Sequence, residues 1–254
     1  MKMDDSHRIM NEHLNVGAMP TARPGSFPLG SLESRAAARA LAQTKARGLE
    51  FTPALDAAAA DPLTWLQQHT RTRDNHWRES GAKSPYRPFP DKPYFRPILE
   101  VIQSYPVSFI EKSRDMMMSW FCVGYFTHSA MTNDQREVLF QSQKEDKAGE
   151  LVDYAKTLYD QQDERLKRRF PLAKPLSNQA ALKLEFANGS RLIGIPEGAD
   201  QIRSYHPWGL LMDEAAFQPE AGEAYDDAVP VCQKIIVVSS AGPGWFADFV
   251  TDQL

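Results

Sequence analysis

Four short apolar runs limit what this chain can fold into. They are VSFIEKS (107–113), EVLFQSQ (137–143), WGLLMDE (208–214) and QKIIVVSS (233–240). Each is rich in branched and aromatic residues, as strands are. None alternates cleanly between polar and apolar, which predicts burial on both faces. Each ends in polar or charged side chains. Segments with helical character lie between them. Short buried strands alternating with helices build a mostly parallel sheet covered on both faces.

The helical segments differ in character. YFRPILEVIQS reads as a helix, and MMSWFCVGYFTHSAM is apolar nearly all round, which predicts a buried one. EDKAGELVDYAKTLYDQQDERLKRR reads as a single long amphipathic helix, with Asp163 and Lys167 as an i,i+4 pair. DPLTWLQQHT predicts a short helix with Asp61 at the N-cap and Pro62 at the first position. ALKLEF and RLIGIP flank Asn188-Gly189, a hairpin signal. Residues 71–93 are charged and proline-rich and read as a linker or folded-back loop. Before them, SRAAARALAQTKAR (34–47) has strong helix formers, and residues 1–34 are a polar, turn-rich arm.

The totals exclude several classes. With 29 Lys and Arg against 33 Asp and Glu, the net charge of −4 gives no global basic field, so nucleic acid would need a local patch. The best one is RLKRRFPLAK (165–174), which serves equally well as a solvated helix end. Cys122 and Cys232 sit in apolar runs and read as buried free thiols of a reducing compartment. The N-terminus has no apolar core of a secretory signal, and no run is long enough to span a membrane. His128 and His206 lack metal-ligand spacing and read as structural.

Three segments carry chemistry. GLLMDEAAF (209–217) brings Asp213 and Glu214 to the C-terminal end of a strand, the edge where open α/β sheets bind ligands. One acid of such a pair suits magnesium and the next suits a general base, although two solvated acids fit the spacing as well. VVSSAGPGWF (237–246) places Ser239, Ser240 and Gly242 after a second strand, as a phosphate-sensing turn or an ordinary one. EKSRDMMMSW (111–120) sits between strand and helix. Against the G-x-x-x-x-G-K-[ST] pattern only Ser119 matches. A phosphate nevertheless needs only a helix N-terminus, nearby cations and a hydroxyl for magnesium. Lys112, Arg114 and Ser119 supply the last two. A buried corner with two snorkelling cations is the other reading.

The order of these segments is that of an additional-strand P-loop ATPase, and over roughly residues 70–254 the chain resembles the large terminase subunit of tailed bacteriophages. KSRDMMMSW looks like that family's deviant Walker A loop, S-R-Q-x-G-x-[ST], with Asp115 for the glutamine and Met117 for the glycine. FANGSRLIGIPEGADQIRSYHPWGLLMDEAAFQPE resembles the stretch that ends in its Walker B acids. SSAGPGWFADFV resembles its coupling motif. PYRPFPDKPYFRPIL resembles the segment that packs on the adenine.

The resemblance implies a P-loop NTPase of the RecA-like type with an N-terminal helical extension: residues 1–70 as extension, 71–254 as the ATPase domain, and the nuclease domain absent from this chain. It implies ATP and Mg2+ as cofactors. Lys112, Ser113, Arg114, Met117, Met118, Ser119, Trp120 and Phe89 would surround the nucleotide, with Arg114 also a cis arginine finger. Ser119 and Asp213 would hold the metal and Glu214 would be the catalytic base. Ser239, Ser240 and Gly242 would couple hydrolysis to movement, and Arg203 would sense nucleotide or a neighbouring subunit. The implied partners are double-stranded DNA, the portal protein, the small terminase subunit and further copies in a ring on the prohead, in the host cytoplasm. A superfamily 2 helicase-like ATPase is a second reading, since D-E-A-A and S-S-A resemble its boxes. A non-hydrolysing binding domain is a third, suggested by Asp115, Met117 and the missing P-loop lysine.

Overall fold

The computed structural model describes residues 52–252; the expected arm and the 34–47 helix lie outside them. The order begins with helices α1 (Pro53–Ala60) and α2 (Pro62–His69), a ribbon of β1 (Arg71–Arg73) and β2 (Tyr86–Pro88), and α3 (Phe95–Ser104). Then follow β3 (Val107–Lys112), α4 (Met118–Thr132), β4 (Glu137–Ser142), α5 (Glu145–Asp160) and α6 (Glu164–Arg169). The chain continues through β5 (Lys183–Glu185), β6 (Arg191–Pro196), α7 (Ala199–Arg203), β7 (Gly209–Asp213), α8 (Ala221–Ala228), β8 (Lys234–Ser240) and α9 (Trp245–Asp252).

The six-stranded sheet has the order β3-β8-β7-β4-β6-β5. All pairings are parallel except β5 with β6, where Leu184 faces Leu192 in the expected hairpin. The absence of alternation along the strands has the anticipated cause. Val138, Phe140, Leu211, Ile236 and Val238 point into a core shared with α1–α5. Their neighbours Leu139, Leu210, Met212, Ile235 and Val237 point into a second core under α7–α9. Burying one such side chain contributes about 1.5–3 kcal/mol.

Helix α4 is buried on nearly every side. Gly124 makes that packing possible, because a Cβ there would come within 2.5 Å of Leu66 Cδ2 on α2. At the start of α2, Asp61 accepts from the Thr64 amide at 2.8 Å, as expected of an N-cap, which is worth about 1 kcal/mol. Burial raises the Asp61 pKa, but the Arg96 guanidinium and Thr64 outweigh it and bring it down to about 2. Leu55 of α1 and Trp65 and Leu66 of α2 are fully buried in the same core as the sheet, so residues 53–69 share that core.

Three local readings are corrected. Residues 53–60, unassigned from sequence, are a helix with Pro53 in its first turn. The 71–93 segment is not irregular throughout, since β1 and β2 pair antiparallel within it. The single helix over 145–169 is broken at Gln161–Asp163. Gln162 turns inward to accept from Trp65 Nε1 at 3.0 Å, and Asp163 caps α6 through the Arg165 amide at 2.8 Å. Lys167 therefore pairs with Glu164 at 2.7 Å instead of forming an i,i+4 pair with Asp163.

Candidate active site

The parallel register gathers the chemistry at one edge. Lys112 ends β3 directly beside Ser240, which ends β8, and Asp213 ends β7 on the other side of β8. Three segments, two of them about a hundred residues from the first, thus meet at the C-terminal edge, with β8 inserted between the loop strand and the Asp-Glu strand.

Two contacts define the cluster. Ser119, in the first turn of α4, donates its hydroxyl to Asp213 Oδ1 at 2.8 Å. Lys112 Nζ donates to Glu214 Oε1 at 2.5 Å and to Ser240 Oγ at 3.2 Å. The Ser240 amide donates to Glu214 Oε2 at 3.0 Å, so that carboxylate is held by a cation and a backbone amide together. Glu214 occupies the left-handed region at φ 55°, a conformation uncommon for a residue with a side chain. Burial drives the Asp213 carboxyl up to about 6, against the Ser119 hydrogen bond. For Glu214 burial also raises the pKa, but the Lys112 and Ser240 contacts win and hold it below the usual range. Two carboxylates against one lysine leave the cluster one positive charge short.

The loop that faces this pair is unusual. Asp115 and Met117 both lie at positive φ, 60° and 58°, and Met117 leads directly into α4 without a side-chain cap. Such a conformation in a residue with a Cβ is favoured less by roughly 1–2 kcal/mol. The first amides of α4 are left free of an intrahelical partner, as at any helix start. Ser113, Arg114 and Asp115 are exposed, Met117 packs on the core beneath them, and Met118 is buried. Tyr94, which the sequence did not single out, donates its hydroxyl to the Met116 carbonyl at 3.1 Å and fixes the loop from outside.

The remaining predicted residues fall as follows. Ser239 is fully buried and accepts from the Ala216 amide at 3.0 Å, so it holds the turn that follows Glu214. Gly242 lies against the same turn, where a Cβ would sit 3.2 Å from the Ala216 Cβ and 3.3 Å from the Phe217 ring. Gln218, also missed, donates to the Asp213 carbonyl at 2.8 Å. Trp120 is not at the cluster: it stacks on Tyr154 with ring centres 4.1 Å apart and joins α4 to α5. Phe89 is buried and packs on Phe95 with centres 5.5 Å apart. The Arg203 guanidinium is engaged by Asp200 and Asp227, and none of its contacts reaches Asp213 or Glu214. The only signal that would have found Tyr94 and Gln218 is their position, one at the start of the helix that leads into the loop strand and one just after the acids.

Among the described residues no group of three or more His, Cys, Asp or Glu gathers as a metal cage. The Ser119 hydroxyl and Asp213 carboxylate are two hard oxygen donors side by side. That set suits Mg2+, which takes one or two protein oxygens and fills its shell with phosphate and water. No helix among the described residues is long and apolar enough to cross a membrane.

The fold is an α/β domain with a mostly parallel six-stranded sheet flanked by helices. Comparison with solved structures gives it specific neighbours. The crystal structure of the HK97 bacteriophage large terminase matches over 77% of this chain and 42% of its own, with 9% identity and a TM-score of 0.54. The Thermus phage P74-26 large terminase ATPase domain covers 70% of this chain and 74% of its own, with 15% identity and a TM-score of 0.43. The large terminase of a thermophilic bacteriophage in complex with ADP covers 78% and 42%, with 13% identity and a TM-score of 0.41. The chain therefore spans less than half the length of the HK97 protein. No protein-family model matches the chain, and no curated protein matches it.

Proposed function

We propose that this chain is the ATPase motor domain of a viral terminase large subunit, hydrolysing ATP to move double-stranded DNA into a prohead. The observation that carries this reading is the pair of contacts at the sheet edge, Ser119 with Asp213 and Lys112 with Glu214, on a fold shared with the HK97 large terminase. The loop amides and the cations Lys112 and Arg114, with Ser113 between them, receive the β- and γ-phosphates. Met117 and Met118 shape the loop from beneath, and Trp120 and Phe89 brace the elements that carry it. Ser119 and Asp213 hold Mg2+, which would neutralise phosphate charge when bound.

Glu214 acts as general base: it takes a proton from the attacking water as that oxygen bonds to the γ-phosphorus and the bond to the β-bridging oxygen breaks. In the present geometry Lys112 and Ser240 hold that carboxylate ionised, the state a base needs. Arg114, exposed on the loop, stabilises charge on the transferring phosphoryl group as a cis arginine finger. Ser240 touches the base while Ser239 and Gly242 touch the turn behind it, so a shift of Glu214 is passed to β8 and α9. Arg203 serves a neighbouring subunit in a ring, on the portal and with the small terminase subunit as further partners.

The test is ATP hydrolysis by the purified chain with magnesium at rising protein concentration, beside Glu214→Gln and Lys112→Ala. Turnover that climbs with concentration and vanishes in both variants supports an assembling motor. Wild-type turnover no higher than that of Glu214→Gln refutes hydrolysis at this site.

A further inference from the structure

The nucleotide cluster occupies the C-terminal edge of the sheet. At the opposite edge, where β4 begins, lies a cavity of about 320 Å³. Residues of α1, α2, α3 and α4 wall it, among them Ala60, Gln103, Tyr125, Ser129 and Asn133, together with Arg136 just ahead of β4. None of the residues proposed for the nucleotide lines it. Ser129 here and Ser119 at the cluster are ten residues apart on α4, roughly 15 Å along its axis. Among the described residues that line the cavity there is no Asp or Glu.

Arg136 brings the charge to this wall. Its backbone is pinned on both sides: the amide donates to Ser190 Oγ and the carbonyl accepts from the Arg191 amide, each at 2.9 Å. The half-buried guanidinium lies over the Trp208 ring, 3.9 Å from its centre, and Nη1 donates to Ser129 Oγ. Stacking occupies a face of the guanidinium and leaves its in-plane donors open. Nε and Nη2 have no acceptor among the described residues, and no carboxylate pairs with the group. Burial lowers the Arg136 pKa, and the effect acting against it comes from Tyr125 rather than from an acid. A charge taken partly out of water without a counter-ion is costly.

The rest of the wall does not compete for that charge. His128 is no second cation, since its Nε2 meets the Ala58 carbonyl at 2.9 Å and burial brings its pKa down to about 4. Two helices end here, and a cation beside a helix C-terminus is favourable in itself. Other donors fill that role: Thr132 Oγ1 donates to the His128 carbonyl at 2.8 Å and Asn133 Nδ2 to the Ser129 carbonyl at 2.9 Å. Arg136 reaches none of these carbonyls. Ala59, Ala60 and Pro62 add apolar wall. One unpaired positive charge balances a monoanion, and an open guanidinium edge matches the two oxygens of a carboxylate. A cavity of this size holds a small molecule.

We propose that this cavity is a binding site for a small organic acid, whose carboxylate pairs with the open edge of Arg136 and whose apolar body rests on Ala59, Ala60 and Pro62. The site is separate from the nucleotide cluster and does not rest on the motor reading.

The experiment is an NMR titration of the full chain, isotope-labelled at its tryptophan nitrogens, with benzoate, acetate and inorganic phosphate at constant ionic strength. The indole signal of Trp208, identified with Trp208→Phe, reports on the ring beneath Arg136. The variants are Arg136→Gln and Ala60→Phe. The second fills the cavity from an exposed position and leaves Arg136 and Ser129 in place. Thermal melting is measured on the same samples. Benzoate is expected to shift the Trp208 signal saturably and to bind more tightly than acetate or phosphate. Its affinity should fall about tenfold or more in Arg136→Gln, as for loss of a charge-assisted pair. It should be lost in Ala60→Phe with melting unchanged. Benzoate affinity that is unchanged in either variant, or no saturable shift in a wild type that melts cooperatively, overturns the site. Phosphate binding as tight as that of benzoate overturns the carboxylate assignment. If Arg136→Gln melts early, Ala60→Phe decides, and unchanged benzoate binding there overturns the site.

Discussion

The two ends of helix α4 are built in opposite ways. At its C-terminal end the Ser129, Ala130 and Met131 carbonyls, and that of Asn133 just beyond, accept from side-chain donors. The Asn188 amide donates to Ala130 and Asn133 at 2.9 and 2.7 Å, and the Ser190 hydroxyl donates to Asn133 at 2.7 Å. His128, one turn earlier, holds the Ala58 carbonyl of α1 at 2.9 Å and packs on Trp65. At its N-terminal end there is no side-chain cap, two residues sit at positive φ, and the loop above is exposed. One end is saturated because it is scaffold. The other keeps its first amides available beside the Ser119–Asp213 pair, and strain of the kind seen there collects where a ligand completes the structure. The saturated end fixes the direction in which the open end points.

The contrast makes graded predictions. The largest effect belongs to the open end: Glu214→Gln removes the base and should lower kcat by roughly 10²–10⁴ with little change in melting temperature, read by steady-state phosphate release. Loss of fold with loss of activity would show that the carboxylate is scaffold instead.

Next comes pH at the saturated end. Burial pushes the His128 pKa down to about 4, only partly offset by the Ala58 carbonyl. Its usual value is 6.5, so on acidification the unfolded chain takes up that proton first. Stability should fall by up to about 3 kcal/mol between pH 6.5 and 4. The raised Asp213 carboxyl works in the opposite sense, gaining stability as the pH falls through about 6. Urea unfolding of wild type against His128→Gln isolates the histidine part, and parallel pH profiles would refute it.

Asn188→Ala should then cost about 1–2 kcal/mol, because it strips the donor from the last carbonyls of α4. Its effect should appear in denaturant midpoints and spare nucleotide affinity. The smallest change is Asp115→Gly, which relieves a positive φ at an exposed site and should raise stability by up to about 1 kcal/mol. A fall in stability there would show that the aspartate itself is needed to shape the loop.

What the sequence made legible follows the same division. The four buried strands and α4 were readable because burial on both faces writes itself as unbroken apolar runs. The Asp-Glu and Ser-Ser strand ends were readable because polar residues after such a run mark the sheet edge. The pairing of Lys112 with Glu214 spans 102 positions and depends on register, which no local pattern carries. The break at Gln161 was hidden because Gln is a good helix former and no Gly or Pro marks the site, and only the inward turn of Gln162 toward Trp65 ends the helix. Three-residue strands such as β1 and β2 are too short to show a period, and Pro88 reads as a breaker. Asn188 was legible as a turn residue but not as a cap, since its targets lie 55 and more positions away.

The most direct measurement is calorimetric titration of ATP into the full chain, with and without magnesium, for wild type, Ser119→Ala and Lys112→Ala. The account predicts magnesium-enhanced binding in the wild type, loss of the magnesium enhancement in Ser119→Ala, and weakened binding in Lys112→Ala whether or not the metal is present. Binding that is absent, or equal in all three proteins, would contradict a nucleotide site between this loop and the Asp213-Glu214 strand.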